Sequence, residues 1–502
     1  MKFNGFIGGA YKLDNVEIAN QRCVNLYVNQ IETADREAQQ LYLKCTPALK
    51  SLMDLDYGTI RLIHVDGLET DDNGYSQPDR MFVVSAEKVF KLTYNGSWTS
   101  TLVGSLGTTT GPVHAASSSI EFGVTVFVDG SNDNYAYEQT DATTETFRTF
   151  AVAGYGSVPK ATRVRWLDGF FLFIIKNSNT FYVSDVNALN VDPLSFAKAE
   201  GDPDSIVSLE ILNRDAWFFN KKSIEIFNNT GAADFPLERV QGGFIEVGCL
   251  APNSVGKIEG TLVWLGRNAN GQGVIYAAKG PQHVQISTNA INDAISGYAN
   301  PESATAFTYQ SGGDLFYIIN FEETSWAYEF TTKEWHERCY TNETNGELER
   351  HRAQFCVFFP DYGNHILGDY ENSKLYEYSD QIFKDNGNTI TRIRTSPHIS
   401  NNFLSVFCKR FYLDMKVGVG KDGDPTALGA DPKIMLRWSD DGGHSWSNEH
   451  WKSIGKIGEF TKRVFWDRLG MFKITRIFEV KFTDPNNLVL FGADLDLESG
   501  TK

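Results

Sequence analysis

One hairpin-shaped unit recurs through the middle of this 502-residue chain, at a period of about 45 residues. Each unit has a polar or glycine-bearing turn, a strongly apolar strand, a second short turn and an alternating strand. Units open at Arg80, Gly123, Gly169, Asp215, Gly260, Asp314 and Asn364. That spacing matches one blade of a β-propeller, built from four short strands. The continuous apolar strand suits an inner position buried on both faces, and the alternating strand an outer, half-exposed one. Asn95-Gly96, Asp129-Gly130 and Asp168-Gly169 have the composition of tight hairpin turns. The pattern predicts an all-β fold, with a propeller of six or seven blades over residues 56–388. Unrelated hairpins in stacked sandwiches are the alternative.

The rest of the chain does not repeat. Residues 389–502 read as a separate antiparallel, sandwich-like platform, with strands near 410–417, 433–438, 475–482 and 488–494 and a loop at 421–430. Residues 1–55 look strand-poor. Helical signal is confined to residues 30–43 and 289–295.

The sharpest local motif is a single Asp-box, Ser439-Asp-Asp-Gly-Gly-His-Ser-Trp446, matching the pattern through Ser439, Asp441, Gly443, Ser445 and Trp446. Asp441 followed by two glycines supplies a carboxylate that can accept N–H groups of its own turn, in residues tolerant of positive φ. The motif therefore predicts a hairpin tip held by Asp441, with Trp446 folded back as an apolar plug. A sialidase-like glycosidase would need several such boxes, an arginine cluster and an acid. Here the box occurs once and lies outside the repeats.

Other chemistry is not signalled. The nine histidines form no H-E-x-x-H pair, and the six cysteines no C-x-x-C pair. There is no P-loop and no G-x-S-x-G elbow, and Asp422-Gly-Asp-Pro has too few ligands in register for calcium. No catalytic residue, metal or cofactor is expected. The formal charge of −17 argues against a protein that grips nucleic acid. No run of eighteen apolar residues occurs, so no membrane span is expected, and the opening residues do not read as a signal peptide. The scattered cysteines read as reduced thiols of a chain folded in cytoplasm.

A series of segments in fixed order carries a family likeness. It runs Asn20-Gln-Arg-Cys-Val-Asn-Leu-Tyr-Val-Asn29, Leu41-Tyr-Leu-Lys-Cys-Thr-Pro-Ala-Leu49, Asp168-Gly-Phe-Phe-Leu-Phe173, Arg214-Asp-Ala-Trp-Phe-Phe219, the Asp-box and Arg463-Val-Phe-Trp-Asp-Arg-Leu-Gly470. This order resembles the packaged DNA stabilization proteins, or tail accessory factors, of short-tailed bacteriophages. One departure is Ala48, where the family often has Gly after Thr-Pro.

The resemblance implies a non-catalytic hub or nozzle of the virion tail, synthesised in the host bacterial cytoplasm. Six copies would form a ring below the portal and its adaptor. That ring would continue the DNA channel, retain the packaged double-stranded genome without sequence-specific binding, and attach a needle, fibres or spikes. It also implies that residues 1–55 join 389–502 in the platform, where Arg463, Trp466, Arg468, Leu469 and Gly470 are the signature. An acidic lumen would let DNA slide, because phosphates meet like charge. A propeller that binds host glycans and an Asp-box glycoside hydrolase are the competing readings.

Overall fold

The computed structural model describes residues 2–31, 40–66, 79–118, 123–139, 144–150, 160–202, 204–232, 234–268, 270–401 and 404–500. Six separate four-stranded antiparallel sheets are present among them. Each predicted hairpin lies within such a four-stranded group. Arg80–Ser85 and Lys88–Tyr94, for example, are flanked by Ile60–Asp66 and Trp98–Ser105. The unit that opens at Asp314 lies in four consecutive strands, Thr305–Ser311 through Glu334–Thr341, that belong to a larger sheet. The continuous apolar strand takes second place, not the innermost. Arg80–Ser85 is wholly buried between its neighbours.

The first strand of each group faces the centre. Ile60–Asp66 touches His114–Ser117, which touches Ala161–Leu167, which touches Ile206–Leu212. The series continues through residues 252–258, Thr305–Ser311 and Ala353–Phe359, and the last of these touches Ile60–Asp66 again. The arrangement is therefore propeller-like and closed. At Asp168-Gly169 both residues have positive φ, 48° and 94°, as a two-residue turn between twisted strands requires.

Ring closure uses distant parts of the chain. The final sheet is Ala353–Phe359, Asn364–Asp369 and Lys374–Ser379, and its fourth strand is Ala48–Asp54. The expectation of a strand-poor N-terminal segment therefore fails. So does its assignment as a whole to the platform, because Ala48–Asp54 completes a propeller sheet, with Tyr378 opposite Leu49 and Ser379 opposite Ala48. Residues 30–43 are not helical where described. Leu26–Ile31 and Gln40–Cys45 are paired strands, and residues 32–39 of that stretch lie outside the described residues. The second predicted helix is present at Asn289–Gly297, capped by Thr288.

The other end of the chain forms two sheets packed face to face. One runs Leu26–Ile31, Gln40–Cys45, Val489–Ser499, Val406–Met415 and Val464–Asp467. The other continues from Glu334–Thr341 through Cys23–Val24 into Arg392–Thr395, Ile477–Phe482, Lys433–Ser439 and His450–Ser453. Phe411 of the first meets Phe478 of the second at 4.9 Å between ring centres. The larger sheet is shared between propeller and sandwich.

Asn25 splices the two. It is buried, with φ 51°, and its Nδ2 donates to the carbonyls of Cys339 and Thr391, both at 2.9 Å. Its Oδ1 accepts from Cys339 N–H at 3.0 Å. Beside it, Arg22 donates twice to Glu337, at 3.0 and 2.6 Å. Arg394, wholly buried, donates to the carbonyls of Gly5, Phe6, Gly9 and Arg22. Backbone carbonyls that the N-terminal segment buries are thereby satisfied.

Histidines packed inside the fold, His336 and His351 buried and His64 and His114 half-buried, make it acid-sensitive. Burial, reinforced by nearby arginines, pushes His336, His351 and His114 well below their ordinary value of 6.5, and burial takes His64 down to about 4. The folded state keeps them neutral while the unfolded chain protonates near 6.5, so stability is lost as pH falls below that value. The slope is about 1.4 kcal/mol per pH unit for each such histidine. Carboxyls that burial raises, such as Asp314 and Glu334, start from far lower values and act with opposite sign further into acid. Thermal melts should show the midpoint falling between pH 7 and pH 5.5. A flat profile there contradicts neutral burial.

Candidate functional site

The Asp-box forms the tip between Lys433–Ser439 and His450–Ser453. Asp441 accepts Ser445 N–H on both oxygens, at 2.9 and 3.0 Å, as well as the hydroxyls of Ser439 and Ser445. The Ser439 hydroxyl, the largest influence, and these other donors hold the carboxylate well below the usual range. Ser439 Oγ accepts from Gly443 N–H at 2.9 Å. Gly442 and Gly443 have φ of 75° and 107°, which L side chains rarely adopt.

Trp446 is not a core plug. It lies half-buried under the Arg437 guanidinium, 4.6 Å from ring centre to Cζ, and Arg437 is itself paired with buried Glu479. A charged arginine over an indole face can remain partly wet, so the ring has no need of the interior.

The tip also meets the N-terminal signature. Asn20 Nδ2 donates to the Gly442 carbonyl at 3.4 Å, and a Cβ built on Gly443 would lie 2.1 Å from that same nitrogen. Asn20 and Gly443, 423 positions apart in the chain, are thus in direct contact.

The second signature is structural in the same sense. Trp466 is buried against Phe411 and donates to the His450 carbonyl at 2.8 Å. Arg468 and Gly470 both have positive φ, 59° and 74°, and form a hook with Leu469. Arg468 N–H donates to Lys409, Leu469 N–H to Cys408, and the Gly470 carbonyl accepts from Cys408 N–H. Leu469 is buried, whereas Arg463, Arg468 and Gly470 are exposed.

Arg476 joins the two signatures, and sequence reasoning missed it. It is buried beside Trp438, Phe472 and Phe478. Its Nε and Nη2 donate to Asp440 at 2.6 and 2.7 Å, and Nη1 donates to the Leu469 carbonyl at 2.6 Å. An arginine in the run Ile474-Thr-Arg-Ile-Phe reads as the solvent face of a strand, and only the neighbouring Asp440 of the box hints at a partner.

Nothing here converges on a reacting atom. Asp441 is committed to its own turn, and no group of metal-ligating side chains occurs among the described residues. Among the described residues, no helix is long and apolar enough to cross a membrane. All six cysteines are free, and burial pushes Cys23, Cys249 and Cys339 up to about 12.

Two sequence models of one family match in tandem: bacteriophage P22 Gp10 beta-propeller over residues 6–382, and bacteriophage P22 Gp10 beta-sandwich over residues 391–498. The chain belongs to the bacteriophage P22 Gp10 family. The Gp10 family is one of structural phage tail proteins and not of enzymes, and this member is a tail hub or nozzle protein. The division of the Gp10 models into propeller and sandwich follows the two kinds of sheet described above.

No curated protein sequence matches. Among solved structures, the WD40 beta propeller domain of Doa1 is similar at 11% identity and TM-score 0.40, covering 67% of this chain and 98% of that one. An exo-beta-1,3-galactanase from Phanerochaete chrysosporium is similar at 9% identity and TM-score 0.27, covering 75% of this chain and 95% of that one.

Proposed function

We propose that six copies form a ring below the portal-adaptor, made through the sandwich, with a seven-bladed propeller on each copy. The ring extends the DNA channel, helps retain the packaged genome and carries further tail parts such as a needle, fibres or spikes. The chain is synthesised in the host cytoplasm and then built into the virion tail. The propeller comprises residues 48–388, and the platform 389–502 with the segment before residue 48. Asp441 and the Arg463–Gly470 segment shape the platform and do no chemistry.

The observation that carries this reading is the apolar surface of the platform. Leu428, Trp451, Ile457, Phe460 and Ile474 are each more than half exposed, with Phe460 at 71%. A ring made through the platform would cover these side chains. The net charge of −17 suits a lumen along which DNA slides.

Light scattering of the full chain, alone and with the adaptor ring, tests the proposal. Six copies are expected on the adaptor, and Phe460→Asp should prevent their association while leaving the chain folded. A Phe460→Asp chain that assembles like the parent places the contacts elsewhere. A single copy per adaptor rejects the ring.

A further inference from the structure

The channel at the centre of the propeller carries positive charge at one end. At the end where the first strands begin, it opens into a cavity of about 400 Å³ lined by Arg61, Arg163 and Arg165, with the neutral His114 beside them and no Asp or Glu among the lining residues. That is a cationic hollow in a chain of net charge −17.

The three arginines differ in how their charge is answered. Arg165 is paired with Glu210, at 2.8 to 3.1 Å over three contacts. Arg61 is buried and donates to the carbonyls of Gly111, Ala86, Thr108 and Thr110 and to the Thr108 hydroxyl, which in turn donates to Asp129. All five of its N–H groups are committed, so it contributes field but no free donor.

Arg163 is different. It is 4% exposed, forms no ion pair among the described residues, and uses only Nη2, toward the Pro252 carbonyl and Asn253 Oδ1. Its Nε and Nη1 have no partner among the described residues. Burial, with Arg165 nearby, pulls it down to about 9. Glu210, already paired with Arg165, answers its charge only from a distance, and an anion seated in the adjoining cavity lowers the cost of burying it.

We propose that this cavity is an anion site for a phosphate group, bound through Arg163 and held in the field of Arg61 and Arg165. The walls come from separate strands around the ring, so donors and charge converge on a compact acceptor with many lone pairs. An extended acidic peptide would need a groove. The phosphate could be a free ion or part of a nucleic acid strand.

Isothermal titration of the full chain with sodium phosphate, at ionic strength fixed with chloride, tests the site. A saturable single-site isotherm and a phosphate-dependent rise in melting temperature are expected. Arg163→Met should weaken binding about tenfold or more, the effect of losing a charge-assisted hydrogen bond. Without phosphate it should melt somewhat lower than the parent, because the Pro252 carbonyl and Asn253 Oδ1 lose their donor, but it should show no phosphate-dependent rise in melting temperature. Arg163→Lys keeps the charge without the fork and should bind at intermediate strength, which covers the case in which the Met variant fails to fold.

A short single-stranded oligonucleotide that binds and is displaced by phosphate assigns the source to nucleic acid. Phosphate binding alone assigns it to the free ion. Absence of saturable phosphate binding, or undiminished binding by both variants, overturns the proposal. So does capture of a glutamate-rich peptide where phosphate does not bind.

Discussion

Deleting residues 1–55 is expected to bring down the propeller and the sandwich together. The segment supplies Ala48–Asp54 to the last propeller sheet, Cys23–Val24 to the shared sheet, and Leu26–Ile31 with Gln40–Cys45 to the opposing sheet. Without Ala48–Asp54, Lys374–Ser379 becomes an open edge, ready to pair with another chain. Without Cys23–Val24, Glu334–Thr341 and Arg392–Thr395 lose the strand between them. The truncated chain should be recovered aggregated, with no cooperative thermal transition. If it instead retains a propeller that melts cooperatively, closure does not depend on the N-terminal strand. A milder version is Leu49→Ala. Leu49 is fully buried, and its loss should cost about 2–5 kcal/mol in urea unfolding.

The second large effect is expected at Arg476. Asp440→Asn leaves a buried guanidinium without its half-exposed carboxylate, at a cost of about 1–3 kcal/mol. Arg476→Met removes the charge but strands the Leu469 carbonyl, and should cost about 3 kcal/mol. The double variant should lose much less than the sum, because the stranded charge is then gone. Tryptophan fluorescence during unfolding reports on this region, where Trp438, Trp446, Trp451 and Trp466 lie. Strict additivity in that cycle would show that Arg476 and Asp440 do not act as a unit.

The propeller was legible because its signal is local. The hairpins that open at Arg80, Gly123, Gly169, Asp215, Gly260, Asp314 and Asn364 carry their own apolar runs and turns, and each falls on the second and third strands of a four-stranded group. What was not legible depends on partners far away in sequence. Residues 30–43 contain Glu, Ala, Gln and Leu, which favour helix in isolation. Gln40–Cys45 is nonetheless a strand, because it pairs with Leu26–Ile31 and with Val489–Ser499. Tertiary pairing outweighs a propensity of a few tenths of a kcal/mol per residue.

The platform motifs were visible but their wiring was not. The Asp-box spelled out its own turn, since its acceptor and donors lie within five residues of one another. The place of Trp446 under Arg437, and the reach of Arg476 to Leu469, depend on which strands lie side by side. No periodicity encodes that.

Asn25 has a mechanical meaning as well. A load applied to the sandwich reaches the propeller across backbone ladders, and not only along the covalent chain. Strands pulled along their length resist together, in shear, whereas strands drawn apart sideways release one bond after another. Cys23–Val24 is two residues long and meets Glu334–Thr341 at the single pair Val24 and Glu337. Under load that short junction is expected to give way before the longer ladders, with the Asn25 side chain, bonded to both flanking segments, among the contacts that resist it.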